Sequence, residues 1–412
     1  MKTFEEYLQA TIKGSHPRKR ILPQGECQSP AAARCTLCHA VDLDYASEVT
    51  AKNESLRLFL EKHVSPQIIS PLTPSPLGRW YRTVTKRRVF QYHGATRLGL
   101  IAPAGEGSYK PFTVVKCAIE PASHAPIFQH VQGILDKPSS QPLAEVLSYV
   151  IIKGSYTEFT LILNVRRISS TVVNATNTLS KSLTRRFKEI VAVFLYEDTS
   201  DRRYYLGSPD RRTSGFRRIF GNKEVYQRIC GRSFLYSPLS FSQVNMSMAD
   251  QFVVTAGELL ELDKSMTVFD LYSGYGLFAL CFSEKVSSVI GVEIASESVA
   301  SAIANAKRQR VTNARFIRSN ITVESVSRLV APLQPQDVVL LDPPRSGTLE
   351  GVIESIAAHK PARVLHIFCN IDIMPAELKR WDKARYTASR VIPFDMFPGT
   401  SSMETMVLLR RG

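Results

Sequence analysis

Cys369 closes an apolar run, Val364-Leu365-His366-Ile367-Phe368-Cys369-Asn370, that reads as a buried strand. A thiol at such a position is either a small core residue or a nucleophile. Farther on, Phe394-Asp395-Met396-Phe397-Pro398-Gly399-Thr400 leads to Glu404, which alone would read as a surface acid. Together a thiol and a carboxylate provide a nucleophile and a general base. Carbon 5 of uracil needs both, being a poor nucleophile. Thiolate addition at carbon 6 makes an enolate and so activates carbon 5. A base must later remove the carbon 5 proton so that the thiol can leave.

A donor for carbon 5 would bind upstream. Val268-Phe269-Asp270-Leu271-Tyr272-Ser273-Gly274-Tyr275-Gly276 is a strand entering a glycine-rich turn, where backbone and ligand can approach closely. Glu293 ends the next strand, where an acid binds the ribose hydroxyls of an adenosine cofactor. Gly274-x-Gly276-x-x-Ala279 also fits the dinucleotide fingerprint. Asp270, ahead of the glycines, suits instead the cationic amino acid end of S-adenosylmethionine (SAM), which carries no pyrophosphate. Asn320 follows the third strand and could meet an adenine edge, or be a turn residue. Asp342, in Leu341-Asp342-Pro343-Pro344-Arg345-Ser346-Gly347, ends the fourth strand and should face the same site.

These residues need a parallel sheet to hold them. From about residue 246, strand patterns at 266–272, 288–293, 314–318, 337–341, 363–368, 385–394 and 405–410 alternate with helical ones at 276–286, 296–309, 348–359 and 373–382. This predicts an α/β, seven-stranded, Rossmann-like methyltransferase domain covered on both faces and ending in an antiparallel hairpin. Residues 76–245 alternate apolar and polar positions between turn signals, with a helical pattern at 180–191. They predict a mixed, mainly antiparallel β (α+β) domain. Residues 1–75 form a small cysteine-rich segment, with a short helix and a basic tail, Lys13 to Arg20, ahead of Cys27. Pro71, Pro74 and Pro76 mark its turn-rich exit.

Composition narrows the partner. The 412 residues are 44% hydrophobic and 22% charged, an ordinary globular balance with no run long enough to span a membrane. The beginning of the chain lacks a secretory layout, so a cytoplasmic protein is expected. A formal net charge of +15 suits a polyanion such as nucleic acid, or a solvated basic surface. Residues 201–234 carry nine Lys/Arg against three acids, with Tyr204, Tyr205, Phe216, Phe220, Tyr226 and Phe234 interleaved. That mixture serves single-stranded or looped RNA, although alternating aromatics also build cores. Clustered cysteines in a reducing compartment suggest metal.

The chain resembles the RNA 5-methyluridine (uracil-5-)methyltransferases. Pro238-Leu239-Ser240-Phe241-Ser242-Gln243-Val244-Asn245, Asp270 to Gly276, Asp342 to Gly347, Cys369-Asn370 and Phe394 to Glu404 carry the resemblance, in family order. It implies that Gln243, Tyr272, Glu293, Asn320 and Asp342 contact SAM or the target, with Cys369 as nucleophile and Glu404 as base. Ser273 stands where the family usually has cysteine, Leu277 for asparagine, Ile371 for proline and Gly399 for histidine. Cys27-x7-Cys35-x2-Cys38, with Cys117 downstream, resembles the [4Fe–4S] ligand set of the ribosomal RNA branch, most closely its RlmC type, as does Pro121-Ala122-Ser123. Four thiolates hold a cluster or a structural zinc, and the resemblance favours iron–sulfur. Such a centre would tie the N-terminal segment to the β domain, leaving Cys230 and Cys281 as core residues. The implied reaction is methylation of a uridine in 23S ribosomal RNA, flipped from its stack or already looped out. Transfer RNA methylation and a catalytically silent RNA-binding assembly factor are the alternatives.

Overall fold

A computed structural model describes residues 2–15, 27, 35, 38–103, 109–198, 215–329 and 333–412. The basic tail beyond Ser15, and residues 201–214 of the basic aromatic stretch, lie outside the described residues.

The first seven-stranded sheet comprises β1 (Val84–Tyr92), β2 (Ala95–Pro103), β3 (Tyr109–Thr113), β4 (Leu147–Gly154), β5 (Phe159–Val165), β6 (Ile190–Glu197) and β7 (Phe216–Gly221), in the order β3-β2-β1-β4-β5-β6-β7. Neighbours are antiparallel except β5 and β6, which the helix Ser170–Arg186 joins as a parallel crossover. β4 and β5 are buried along their whole length. Helices His124–Leu135 and Ser170–Arg186 cover one face, and Tyr149, Ile151, Ile162, Phe194 and Tyr196 pack on the other. The helix expected at 180–191 starts ten residues earlier and stops at Arg186, and Ile190–Glu197 is a strand. Ser169 caps that helix by accepting the Val172 N–H.

A two-stranded hairpin, β8 (Val225–Ile229) and β9 (Arg232–Tyr236), follows. It packs on the C-terminal part of the chain, with Val225, Ile229, Phe234 and Tyr236 joining a core around Phe252, Phe278 and Leu365. Phe234 is thus core, whereas Phe220 and Tyr226 are exposed. Cys230 sits half-buried at the hairpin turn, at φ +50°, rather than inside the core.

The second sheet holds β10 (Thr267–Leu271), β11 (Ser288–Glu293), β12 (Ala314–Arg318), β13 (Val338–Leu341), β14 (Arg363–Phe368), β15 (Tyr386–Phe394) and β16 (Glu404–Arg411), in the order β12-β11-β10-β13-β14-β16-β15. Six strands run in the same direction and only β16 is reversed. β16 enters between β14 and β15, antiparallel to both, as the terminal hairpin required.

The N-terminal segment packs on this second sheet. Phe4 and Leu8 of helix Phe4–Ser15, and Ala51, Leu56, Phe59 and Leu60 of helix Tyr45–Leu60, share a core with Phe269, Leu341, Phe368 and Val407. The chain then runs along the sheet edge, where Ile69 bridges Val391 and Thr73 bridges Phe394. Among the described residues no helix is long and apolar enough to cross a membrane.

Candidate active site

Parallel pairing sets the site. Leu271 lies between Val292 and Leu341, and Leu341 pairs with His366. The residues that end or follow these strands, Tyr272, Glu293, Asp342 and Cys369, therefore emerge along one carboxyl edge, where ligands of open α/β sheets bind. Arg318 pairs with Glu293, so Asn320, two residues beyond β12, reaches the same edge and is exposed there. β16 brings the last member. Phe368 pairs with Thr405, so the next residues outward, Cys369 and Glu404, stand opposite each other.

The turn after β10 needs its glycines. Gly276 has φ +85°, and a Cβ there would lie 2.9 Å from the Phe316 ring. Tyr272 adopts φ +69°, uncommon for a residue with a side chain and a strain often found at functional sites. Its N–H and that of Ser273 both donate to the Val292 carbonyl, at 2.9 and 3.0 Å.

Carboxylates crowd this edge. Glu293 Oε2 accepts the Gly274 N–H at 3.1 Å, and Oε1 accepts that of Ala295 at 2.8 Å. Asp270 is fully buried, and its Oδ2 accepts the Ala279 N–H at 3.1 Å while Oδ1 has no partner. Burial pushes Asp270 up to about 7, with the Ala279 N–H opposing and the charges of Asp342 and Glu293 adding. Burial and Glu293 push the half-buried Asp342 likewise to about 7. Glu404 is pushed to about 8 by burial and by Asp342, against the pull of Arg345, and its Oε2 has no partner. The Cys369 thiol donates to the Pro343 carbonyl at 3.6 Å. Burial, then Asp342 and Glu404, raise it to about 12, while Arg345 acts to lower it.

Arg345 is a site residue that motif spacing does not reveal. Its guanidinium donates to Ser402 Oγ at 2.9 Å, and its carbonyl accepts from Asn370 Nδ2 at 3.2 Å. It thereby links the loops after β13 and β14 to the residues before Glu404. Its only sequence signal is its place after Asp342-Pro343-Pro344.

Gln243 is buried in the loop that joins the two halves. Thr83 N–H donates to the Val244 carbonyl at 2.8 Å, and Asn245 Nδ2 donates to the Met396 carbonyl at 3.2 Å. Lys153, fully buried on β4, donates to the carbonyls of Pro238 (3.1 Å) and Ser240, and burial lowers its pKa to about 7. The loop is thus pinned between the first sheet and the Phe394–Thr400 segment.

The four candidate metal ligands behave differently. Cys38 precedes the segment that Arg79 grips, and Cys117 precedes the Ala118 and Ile119 carbonyls that accept from the Trp80 and Arg82 N–H groups. Burial, then the charges of Cys35 and Cys27, raise the Cys38 thiol to about 12. Burial, Glu120 and Cys38 raise Cys117. Cys38 thus lies within electrostatic reach of the other three. Even so, among the described residues no three His, Cys, Asp or Glu side chains are close enough to hold a metal ion.

With this geometry in place, the fold can be assigned. The chain has the fold of SAM-dependent methyltransferases. It superposes on the crystal structure of Pyrococcus abyssi tRNA (uracil-54, C5)-methyltransferase in complex with S-adenosyl-L-homocysteine. The TM-score is 0.67 at 18% identity, over 91% of this chain and 86% of that one. A family model described as tRNA (Uracil-5-)-methyltransferase matches residues 212–412, the hairpin and the second sheet. An uncharacterized RNA methyltransferase of Streptococcus mutans is 34% identical over 196 residues, 48% of this chain. The matched stretch is 43% of that relative, so the chain spans less than half its length. One from Streptococcus agalactiae is 23% identical over 376 residues, 89% of this chain and 80% of the relative.

Proposed function

We propose that this protein transfers a methyl group from SAM to carbon 5 of a uridine in RNA, through a covalent bond between Cys369 and carbon 6. The observation that carries the reading is the β14–β16 register, which sets the thiol opposite Glu404 beside the carboxylate-rich edge. The similarity of residues 212–412 to the tRNA (Uracil-5-)-methyltransferase family model supports it. Asp270, Glu293, Asp342, Tyr272, Asn320 and Gln243 would hold the donor and the target base. SAM supplies an electrophilic methyl group on a cationic sulfur, a charge that suits the acids. Cys369 adds to carbon 6 as its thiolate, a form that Arg345 favours. Once carbon 5 carries the methyl group, Glu404 takes the carbon 5 proton. The electrons of that C–H bond restore the double bond and expel the thiolate. Burial and the Asp342 charge raise the Glu404 carboxyl to about 8, which makes its carboxylate a stronger base than an ordinary one.

The chain's positive charge and the exposed aromatics Trp80, Tyr92, Tyr109, Phe220, Tyr226 and Phe241 suit RNA. We take 23S ribosomal RNA as the substrate, on the resemblance of the cysteine set. Transfer RNA is the second reading, favoured by the similarity of residues 212–412 to the tRNA (Uracil-5-)-methyltransferase family model. RNA containing 5-fluorouracil tests both. Fluorine leaves no carbon 5 proton to remove, so an adduct through Cys369 should persist in denaturing gels. An adduct with ribosomal fragments but not with transfer RNA is expected; the reverse moves the substrate, and no adduct with either removes the uracil-5 reading.

We further propose that Cys27, Cys35, Cys38 and Cys117 hold a [4Fe–4S] cluster with a structural role. The reading rests on the resemblance of Cys27-x7-Cys35-x2-Cys38, with Cys117 downstream, to a [4Fe–4S] ligand set. Iron and acid-labile sulfide should both be found in protein purified without oxygen. Zinc without iron would overturn the cluster.

A further inference from the structure

Four charged side chains are buried together away from the carboxylate edge. Helix Tyr45–Leu60 turns Glu48 and Lys52 inward, and both are inaccessible. Lys52 Nζ lies 2.8 Å from Glu48 Oε1 and 2.8 Å from Asp395 Oδ1. Arg79 Nη1 lies 2.8 Å from Glu48 Oε2. Two acids and two bases thus balance. Burial works against the Lys52 charge, but Asp395 and Glu48 outweigh it and hold its pKa above the ordinary lysine value.

Each partner also grips backbone. Glu48 Oε1 accepts the N–H of Gly399, and Lys52 donates to the Phe397 carbonyl at 3.4 Å. Arg79 Nη2 donates to the carbonyls of Ala40, Val41 and Leu43, at 2.9, 3.2 and 3.1 Å. Tyr45 OH donates to Asp395 Oδ2 at 3.0 Å, and the Ala40 N–H donates to the Gly399 carbonyl at 3.0 Å. Gly399 is at φ +85°, a conformation that disfavours any side chain there. Asp395, Phe397 and Gly399 belong to the loop between β15 and β16, and Glu404 is the first residue of β16.

A buried charge set is weak as a source of stability, because apolar residues of similar volume serve as well. What it supplies here is a fixed loop. We propose that Glu48, Lys52, Arg79 and Asp395 form a positioning assembly that sets the β15–β16 loop, and through it holds Glu404 in place for removal of the carbon 5 proton. The assembly acts through Glu404 and does not touch the substrate. The inference rests on the proposed uracil-5 reaction.

The test separates methyl transfer from release of the methylated RNA, using the full chain, SAM and an ordinary uridine-containing fragment in single turnovers. Glu404→Gln is the reference, and it should accumulate a methylated protein–RNA adduct. Glu48→Gln keeps the side chain's shape and an acceptor for the Gly399 N–H but removes a charge. It should slow release about tenfold or more and accumulate the same adduct, while adduct formation changes less than about threefold. Tyr45→Phe removes a single hydroxyl, leaves all four charges in place, and should shift release in the same direction by a smaller factor. A folded Glu48→Gln protein that builds up no adduct overturns the inference. If Glu48→Gln does not fold, Tyr45→Phe decides, and wild-type release by that variant overturns it. If Glu404→Gln itself accumulates no adduct, the uracil-5 reading fails instead.

Discussion

At one end of the loop between β15 and β16, Glu48, Asp395, Lys52 and Arg79 balance acid against base within 2.8 Å contacts. At the other end Asp270, Glu293, Asp342 and Glu404 gather carboxylates, and burial together with neighbouring negative charge raises the proton affinity of Asp270, Asp342 and Glu404. Both clusters are polar and largely buried, yet they do different work. Paired charges fix a backbone path and ask for no ligand. Crowded acids hold protons near neutral pH and gain by meeting a cation, which the methyl donor of the proposed reaction carries. Charge balance, rather than burial, separates the polar cluster proposed to position the loop from the one proposed to react.

The largest expected effect lies at the reactive end. Cys369→Ser should lower 5-methyluridine formation by at least about 10³-fold, read by mass spectrometry of digested RNA, with the melting temperature close to wild type. Substantial residual activity would remove Cys369 from the chemistry. The two clusters should next diverge in stability. Lys52→Met leaves Asp395 without a cation and Glu48 with Arg79 alone, and should cost about 3–5 kcal/mol in urea denaturation. Asp270→Asn relieves a crowded acid and should cost less than about 1 kcal/mol, yet weaken S-adenosyl-L-homocysteine binding about tenfold by calorimetry. Equal losses of stability would erase the distinction.

The smallest effect is pH dependence. The folded-state values of Asp270 and Asp342, about 7, and of Glu404, about 8, lie above the values of unfolded carboxylates. Between those limits the folded protein binds more protons than the unfolded chain. The stability from this edge is full below the unfolded values and is lost as pH rises through 7 to 8. Without donor, the melting temperature should fall on the order of a few °C from about pH 6 to pH 9. A rise over that range would contradict the crowding of these acids.

The second sheet is legible because its strands read as short β-prone runs between helical stretches; 288–293, 314–318 and 363–368 keep their expected limits. Helix Tyr45–Leu60 is not legible, because its inward positions include Glu48, Lys52 and Ser55, which mask the apolar stripe. Helix Ser170–Arg186 hides its start in Ser, Thr and Asn, weak helix formers read as loop. In the site, residue types point to Cys369 and Glu404, but their facing each other depends on β16 entering between β14 and β15, a register no local pattern carries. The cysteine spacing likewise says nothing of the N-terminal helices docking on the second sheet.

That docking has a consequence for how the chain is made. The Phe4 N–H donates to Asp372 Oδ1 at 2.7 Å, and Phe4 and Leu8 share a core with Trp381, Val407 and Leu409. A ribosome delivers the N-terminal residues first, but the sheet that covers them is completed by the last strand to emerge. Until then the apolar sides of helices Phe4–Ser15 and Tyr45–Leu60 have no sheet to rest on. Closing so long a stretch of chain is slow, so these helix–sheet contacts are expected to form late in folding.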